Sequence, residues 1–167
     1  MSVPNLMSMA IPSPLGLLWL EASPLGLRRV TFVAEGTEPP PMALGFQPGS
    51  TCSSILVAAA SQMQAYLSGK RRSFDLPLDM EGTPYQRQAW KQVLRIPYGE
   101  TRSYGWLGEA LGSPGAAEAV EQAVVRNALA IVVPCHRLIR ADGALGDYIG
   151  GQERKMALQK LEAASGG

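Results

Sequence analysis

The sequence predicts a mixed fold in which a β-rich first third gives way to a mainly helical remainder. Three observations carry this. Two β-compatible runs that can pair as a hairpin lie before Ala34, helix start and stop signals recur from Thr83 onward, and two short helices are joined tightly at Gly112-Ser113-Pro114. A length of 167 residues suits one domain or two small ones sharing a boundary. Hydrophobic residues make up 46% of the chain, enough for an ordinary globular core.

The elements follow in order. Leu15 to Ala22 and Gly26 to Val33 read as strands, with Ser23-Pro24-Leu25 as the hairpin connection. Glu35 to Ser50 is rich in Pro and Gly, lacks periodicity and reads as a loop. Ser53 to Leu67 sets Ile55, Ala59, Met63 and Tyr66 at helical spacing; Gly69-Lys70-Arg71-Arg72 stops that helix, and Phe74 to Leu78 is extended. Thr83 before Pro84 is an N-cap with proline at the first helical position, opening a helix to about Ile96. Ser103 caps a short helix through Leu111, and another runs from Pro114 to roughly Arg126. Such a pair is the signature of a helix-turn-helix, and equally of an αα-hairpin used only for packing. The apolar, β-branched run Ala130 to Val133 leads into an extended Pro134-Cys135-His136-Arg137, a Gly-rich stretch spans Gly143 to Gly151, and a last helix runs from Glu153 to about Ala163.

The bulk numbers exclude several classes. A net charge of +1, from 15 basic and 14 acidic residues, does not announce a nucleic-acid binder, although a local basic stripe can still serve. Arg87, Lys91 and Arg95 recur at helical spacing, and Arg102, Arg137 and Arg140 cluster near Cys135; a solvated face is the ordinary reading of such a stripe. Cys52 and Cys135, with the single histidine His136, cannot supply a structural zinc site, so no metal is expected. Reduced thiols, no visible signal peptide and an apolar stretch from Ile11 to Leu20 broken by Pro12, Pro14 and Gly16 lead to the expectation of a cytoplasmic monomer with no membrane partner.

Cys135 invites a nucleophilic reading, because a histidine follows it and a thiol needs a base to become the reactive thiolate. The competing reading is that it simply packs, as free cysteines commonly do. A carboxylate could orient His136, and Glu162 on the last helix is one of several candidates. A Cys-His hydrolase would need the two side chains to face each other, which neighbours in an extended segment do not.

Pro134-Cys135-His136-Arg137 followed by Gly143, Tyr148, Gly150-Gly151, Lys155 and Glu162 resembles the signature of the O6-alkylguanine-DNA alkyltransferases. Upstream, Gly82-Thr83-Pro84-Tyr85-Gln86 with Trp90, Ile96-Pro97-Tyr98-Gly99 and Ser103-Tyr104 with Leu107 match in order and spacing, as do Gln62, Tyr66, Gly69 and Phe74 to Leu78. The resemblance covers Ser13 to Glu162. It implies an α/β N-terminal domain (1–80) packed on a helical C-terminal domain (81–167) bearing the helix-turn-helix and the active-site motif. It also implies a single-use repair protein that flips O6-alkylguanine out of double-stranded DNA and moves the alkyl group to its own cysteine, without a cofactor. By the same resemblance Cys135 is the acceptor, His136 its base through a water, and Glu162 the orienter of His136. Tyr104 donates its hydroxyl to the guanine; the carbonyls of Cys135 and Leu138 and the amide of Ile149 read the base beside Tyr148; Asn127 braces the site.

One stretch departs from the family pattern. Unbroken spacing to Cys135 puts Glu118 where the family carries an arginine that fills the hole left by the flipped base, and Glu121 and Gln122 where small residues follow. Ala117 and Ala119 remain small. On a helix, Ala116, Val120, Ala123 and Val124 share a buried face, leaving Glu118 and Glu121 together on the face expected to meet DNA. Between Ser103 and Asn127, Glu109, Glu118 and Glu121 stand against Arg126 alone. An acidic docking helix opposes a polyanion, so weak duplex affinity is expected. The alternative function is therefore a relative that keeps the fold with impaired DNA binding and repair.

Overall fold

The computed structural model describes residues 6–36 and 49–165, so most of the expected 35–50 loop lies outside the described residues. The chain divides into two compact units, Met1–Glu81 and Gly82–Gly167. Among the described residues no helix is long and apolar enough to cross a membrane.

The first unit is an antiparallel three-stranded sheet, in the order β1 (Met7–Ile11), β2 (Leu18–Ser23) and β3 (Gly26–Phe32), with α1 (Thr51–Leu67) packed across it. Alternation along β2 puts Leu18, Leu20 and Ala22 on the covered face, where they meet the Leu56, Ala59 and Met63 side of α1; all six are buried. The hairpin turns through Pro24 and Leu25, with Ser23 paired to Gly26. Ser23 Oγ accepts the Leu25 amide at 3.1 Å and donates to Asp79 at 2.6 Å, which ties the turn to the end of the unit. Gly26 is demanded by close approach: a Cβ there would stand 2.6 Å from the Pro77 carbonyl oxygen, where the Phe74–Leu78 segment bridges β3 through Leu27 and Leu78. Strand β1 has no counterpart among the sequence expectations; Met7, Met9 and Ile11 do alternate with Ser8 and Ala10, but five residues ending at Pro12 make a short signal. Leu15 to Leu17 turn instead of extending.

In the second unit, α2 (Pro84–Val93) opens on a complete capping box, with Thr83 accepting from the Gln86 amide and the Gln86 side chain accepting from the Thr83 amide. It stops at Val93, short of Ile96, because Arg95 and Ile96 bond three residues back in a tightened turn. Its buried side is Ala89, Trp90 and Val93; Arg87 and Lys91 are exposed on α2, and Arg95 is exposed just beyond it. The short α3 (Tyr104–Ala110), capped by Ser103, packs against α4 (Ala117–Val124) across the 111–116 turn. Helix α4 begins later than its sequence suggests, since Gly115 at φ 83° breaks the path from Pro114. The two-residue strand β4 (Arg102–Ser103) pairs in parallel with β5 (Leu138–Ile139), and α5 (Gln152–Ser165) closes the unit.

Candidate active site around Cys135

The site is built by a bracket at the end of α4. Asn127 is 2% exposed; its Oδ1 accepts the Leu129 amide at 2.8 Å, and its Nδ2 donates to the carbonyls of Val133 at 2.9 Å and Leu129 at 3.3 Å. These bonds fold 128–133 into consecutive turns. Ile131 lies at φ 73°, a region β-branched residues seldom enter. The apolar run before the motif is therefore buried but coiled. Cys135–Arg137 form a single 3-10 turn, which corrects the extended conformation expected there. The physical reason is local: side-chain hydrogen bonds from Asn127 override the β propensity of Ile131, Val132 and Val133. The Leu138 amide donates to the Cys135 carbonyl, and β5 then sets this turn beside the first residue of α3, Tyr104.

His136 points to α5. Its Nε2 donates to Glu162 Oε2 at 2.8 Å, so the neutral ring carries its lone pair on Nδ1. Glu162 is a hub. It also accepts from Arg137 Nη2 at 2.8 Å and Nε at 2.9 Å, and from the Gly99 amide at 3.1 Å. Arg137 Nη1 donates to the Ile96 carbonyl at 2.7 Å, and its guanidinium lies 5.6 Å from the Tyr98 ring centre. Gln159 of α5 donates to the His136 carbonyl at 2.8 Å. Burial lowers the proton affinity of His136 against the opposing pull of Glu162. The edge of the ring faces Tyr148 at 6.4 Å between centres.

Cys135 is buried, and its thiol donates to the Val124 carbonyl at 3.6 Å. Burial pushes its pKa up to about 12, while the Lys155 ammonium and a hydrogen bond from Asn127 pull the other way. Lys155 belongs to the sequence signature, but no role follows from sequence. In the structure it is wholly buried, donates to the Tyr104 hydroxyl at 3.1 Å, to the Leu145 carbonyl, and to the Asp147 carbonyl at 3.4 Å, and burial lowers its pKa to about 8. The signal that could have found it is a lysine four residues after Gly151 on the inward side of an otherwise amphipathic helix. Tyr104 is held strongly protonated, first by burial and then by the Glu121, Cys135 and Asp147 charges. Leu138 and Tyr148 are buried and Ile149 is 48% exposed. Arg137, likewise given no role from sequence, anchors the Glu162 hub.

Helix α4 differs from expectation at one residue. Glu118 is exposed, as are Ala119 and Gln122, with Ala117 half-buried. Glu121 is not a solvated, outward-facing carboxylate: it is 8% exposed, accepts from Arg140 Nη2 at 3.0 Å and Nε at 3.2 Å, and accepts the Asp147 amide at 3.0 Å. The Arg140 hydrogen bond first of all lowers its pKa. A carboxylate meeting two guanidinium donors and a main-chain amide gains more by turning inward than by remaining hydrated. Tyr104, Gly105, Ala117, Glu118, Glu121, Arg140 and Ala141 line a cleft of about 450 Å³.

Both units have known counterparts. Residues 7–80 match the family described as 6-O-methylguanine DNA methyltransferase, ribonuclease-like domain, and residues 84–164 match its DNA binding domain. A methylated-DNA–protein-cysteine methyltransferase of Mycobacterium tuberculosis is 43% identical over 152 residues, 91% of this chain and 89% of that protein. The constitutive enzyme of that name from Bacillus subtilis is 48% identical over 111 residues, 66% of this chain and 67% of the other. The crystal structure of the M. tuberculosis O6-methylguanine methyltransferase superposes with a TM-score of 0.81 at 40% identity, covering 96% of this chain and 94% of that one. A second structure from the same bacterium, solved in complex with DNA, gives 0.80 at 39% identity, covering 95% and 93%. The chain belongs to the methylated-DNA–protein-cysteine methyltransferase family.

Proposed function

We propose that this protein repairs DNA by transferring an alkyl group from O6 of guanine to Cys135, once per molecule. The observation that supports it most is a buried thiol flanked by the Lys155 ammonium and Asn127, next to a histidine clamped by a carboxylate. In this reading the Cys135 sulfur bonds to the alkyl carbon as the carbon–O6 bond breaks. The thiol proton passes to His136 Nδ1, whose developing charge Glu162 stabilises through Nε2. Lys155 stabilises the negative charge that grows on the departing guanine, Tyr104 passes that base a proton, and the proton taken up by His136 returns to Tyr104 through solvent, so that in sum the thiol proton replaces the alkyl group. Leu138, Tyr148 and Ile149 form the base pocket and Asn127 braces it. Helices α3 and α4 act as the helix-turn-helix, with Ala117, Glu118 and Ala119 facing the duplex. Both cysteines are reduced thiols, which supports a cytoplasmic setting.

Intact mass after incubation with an oligonucleotide containing O6-methylguanine tests this. One methyl per protein, mapped to Cys135 and absent from Cys135→Ser, is the expected result; Cys52→Ser should label normally. A folded protein that stays unmodified on both this oligonucleotide and free O6-benzylguanine overturns it. A second reading, alkyl transfer with impaired duplex binding, is favoured by the exposed Glu118 in the first turn of α4. Its mark is labelling by the free base without labelling by duplex.

A further inference from the structure

Three helices converge on the backbone of one residue. The Asp147 amide donates to Glu121 of α4 at 3.0 Å. The Asp147 carbonyl accepts from Lys155 of α5 and from the Tyr104 hydroxyl of α3, each at 3.4 Å. The preceding Gly146 is sandwiched: at φ 73°, a Cβ on it would lie 3.0 Å from the Tyr104 ring and hydroxyl and 3.2 Å from Glu121 Oε2. Arg140, at the other end of the same loop, grips the Glu121 carboxylate with two nitrogens, and its own amide bonds the Ala144 carbonyl at 2.8 Å. The loop 140–147 is therefore pinned from α4 by one carboxylate and from α5 by one ammonium, with Tyr104 between them. Tyr148, whose ring meets His136 edge-on, is the next residue along.

We infer that Glu121 is a positioning residue for the alkyl-transfer site: it clamps the Asp147 peptide and so sets the place of the Tyr104 hydroxyl and of Tyr148. The inference rests on the alkyl-transfer reading for its kinetic consequence only. The clamp itself can be observed without any reaction. The Asp147 main chain joins Glu121 to the Tyr104 hydroxyl, its amide bonding the first and its carbonyl, on the next peptide unit, the second. A loop carrying Gly143 and Gly146 has little stiffness of its own; α5 holds it through Lys155 and Gln152, and Glu121 is its anchor on α4, so removing Glu121 frees that side to drift. Displacement of a reacting group by about 1 Å can cost on the order of a hundredfold in rate. Arg140 contributes by holding the carboxylate in place, and the amide contact does not depend on it. Glu121→Gln keeps an oxygen for the Asp147 amide while giving up the ion pair; Glu121→Ala gives up both.

The test uses the full chain with free O6-benzylguanine, which avoids duplex binding, and amide hydrogen exchange by NMR. Glu121→Ala should lose the protection of the Asp147 amide and alkylate Cys135 about tenfold to a hundredfold more slowly. Glu121→Gln should retain the protection and stay within about threefold of the wild type, and Arg140→Ala should resemble it. In a Tyr104→Phe background the further loss from Glu121→Ala should shrink to less than about threefold, because both changes interrupt one path. A wild-type Asp147 amide that exchanges freely overturns the clamp whether or not Cys135 reacts. Glu121→Gln as slow as Glu121→Ala, or a loss that multiplies fully with that of Tyr104→Phe, also overturns it. Failure of the wild type to alkylate at all, with the amide protected, instead overturns the alkyl-transfer reading and leaves the clamp standing on its exchange data.

Discussion

Replacing Glu162 by Gln should be among the most damaging single-atom changes in the second unit. The carboxylate is 2% exposed and receives two guanidinium nitrogens, an imidazole N–H and a main-chain amide. Its neutral isostere leaves the Arg137 guanidinium, itself 8% exposed, facing an amide in place of a counter-charge. Breaking a buried ion pair from one side costs about 3–5 kcal/mol. The surviving Ile96 carbonyl and Tyr98 ring contacts, together with the acceptor oxygen Gln retains, argue for the lower end, about 3 kcal/mol. In a chain of this size that corresponds to a fall in Tm of roughly 6–12 °C. Urea unfolding of Glu162→Gln, Arg137→Met and the double variant measures it. The double variant should be less destabilised than the sum of the singles, since no uncompensated buried charge remains. A loss below about 1 kcal/mol, the range of exposed ion pairs, would show that the hub is hydrated in solution and refute the reasoning. Cys135 alkylation should slow in the same variant, as His136 loses the partner that stabilises its protonated form.

Other outcomes follow from the same contacts. Stability should decline as pH falls below about 6.5: burial lowers the His136 pKa from its unfolded value, so the unfolded state takes up the proton first and is favoured. Urea midpoints that stay flat between about pH 7.5 and about pH 5.5 would contradict this. Lys155→Met removes a buried charge but leaves the Leu145 and Asp147 carbonyls without their donor, so it should cost about 1–3 kcal/mol. It should also slow free-base alkylation of Cys135 by about tenfold or more, through the lost charge beside the leaving base and the loosened loop together. Glu118→Arg alone should raise duplex affinity, steepening the slope of log K against log salt by about 0.9 for each further phosphate neutralised. Anisotropy titrations across a salt series that leave wild type and variant alike would clear the exposed carboxylate of blame. Glu121 must stay unchanged in that experiment, because it anchors Asp147 and its removal would disturb the cleft as well as the charge.

How much of this was legible in the sequence depended on whether the signal was local. Thr83-Pro84 with Gln86, and Ser103, announce their helices because the capping bonds lie within three residues, and both caps are present. The motif around Cys135 was legible through a string of ordered matches; the pairing of His136 with Glu162 was one option among several carboxylates until the structure put them 2.8 Å apart. What misled was propensity where side chains intervene. Cys135 and His136 read as extended, following the β-branched run Ala130 to Val133, but Asn127 binds the carbonyls of Leu129 and Val133 and coils that run into the turn that carries them. Glu121 read as a solvated face because its partners, Arg140 and the Asp147 amide, lie 19 and 26 residues away in a loop without periodicity. Lys155 stood in the signature and on the inward side of its helix, but its partners, Tyr104 and the Leu145 and Asp147 carbonyls, are tertiary contacts that give it a role only once the chain is folded.

The electrostatics of the resting site fit a nucleophile used once better than one that cycles. Burial pushes the Cys135 pKa up to about 12, which holds the resting thiol in its protonated form at neutral pH. His136, its prospective base, is also held neutral by burial. Both groups therefore resist charge until a substrate arrives, which shields the thiol from oxidants and stray electrophiles that attack thiolates. A hydrolase that turned over through Cys135 would carry this penalty in every cycle. An acceptor meets it once, and can meet it with the substrate itself: as the carbon–O6 bond lengthens, negative charge grows on a base placed against Lys155 and the Tyr104 hydroxyl. Burial lowers the Lys155 pKa from 10.5 to about 8 against the opposing pull of the groups around it, Glu121 and Asp147 among them, so a negative charge forming beside the ammonium is stabilised in a poorly hydrated place. In the proposed reaction, activation is then coupled to the presence of the alkylated base, and the proposed role of Glu121 is to hold Tyr104 in register without touching the thiol.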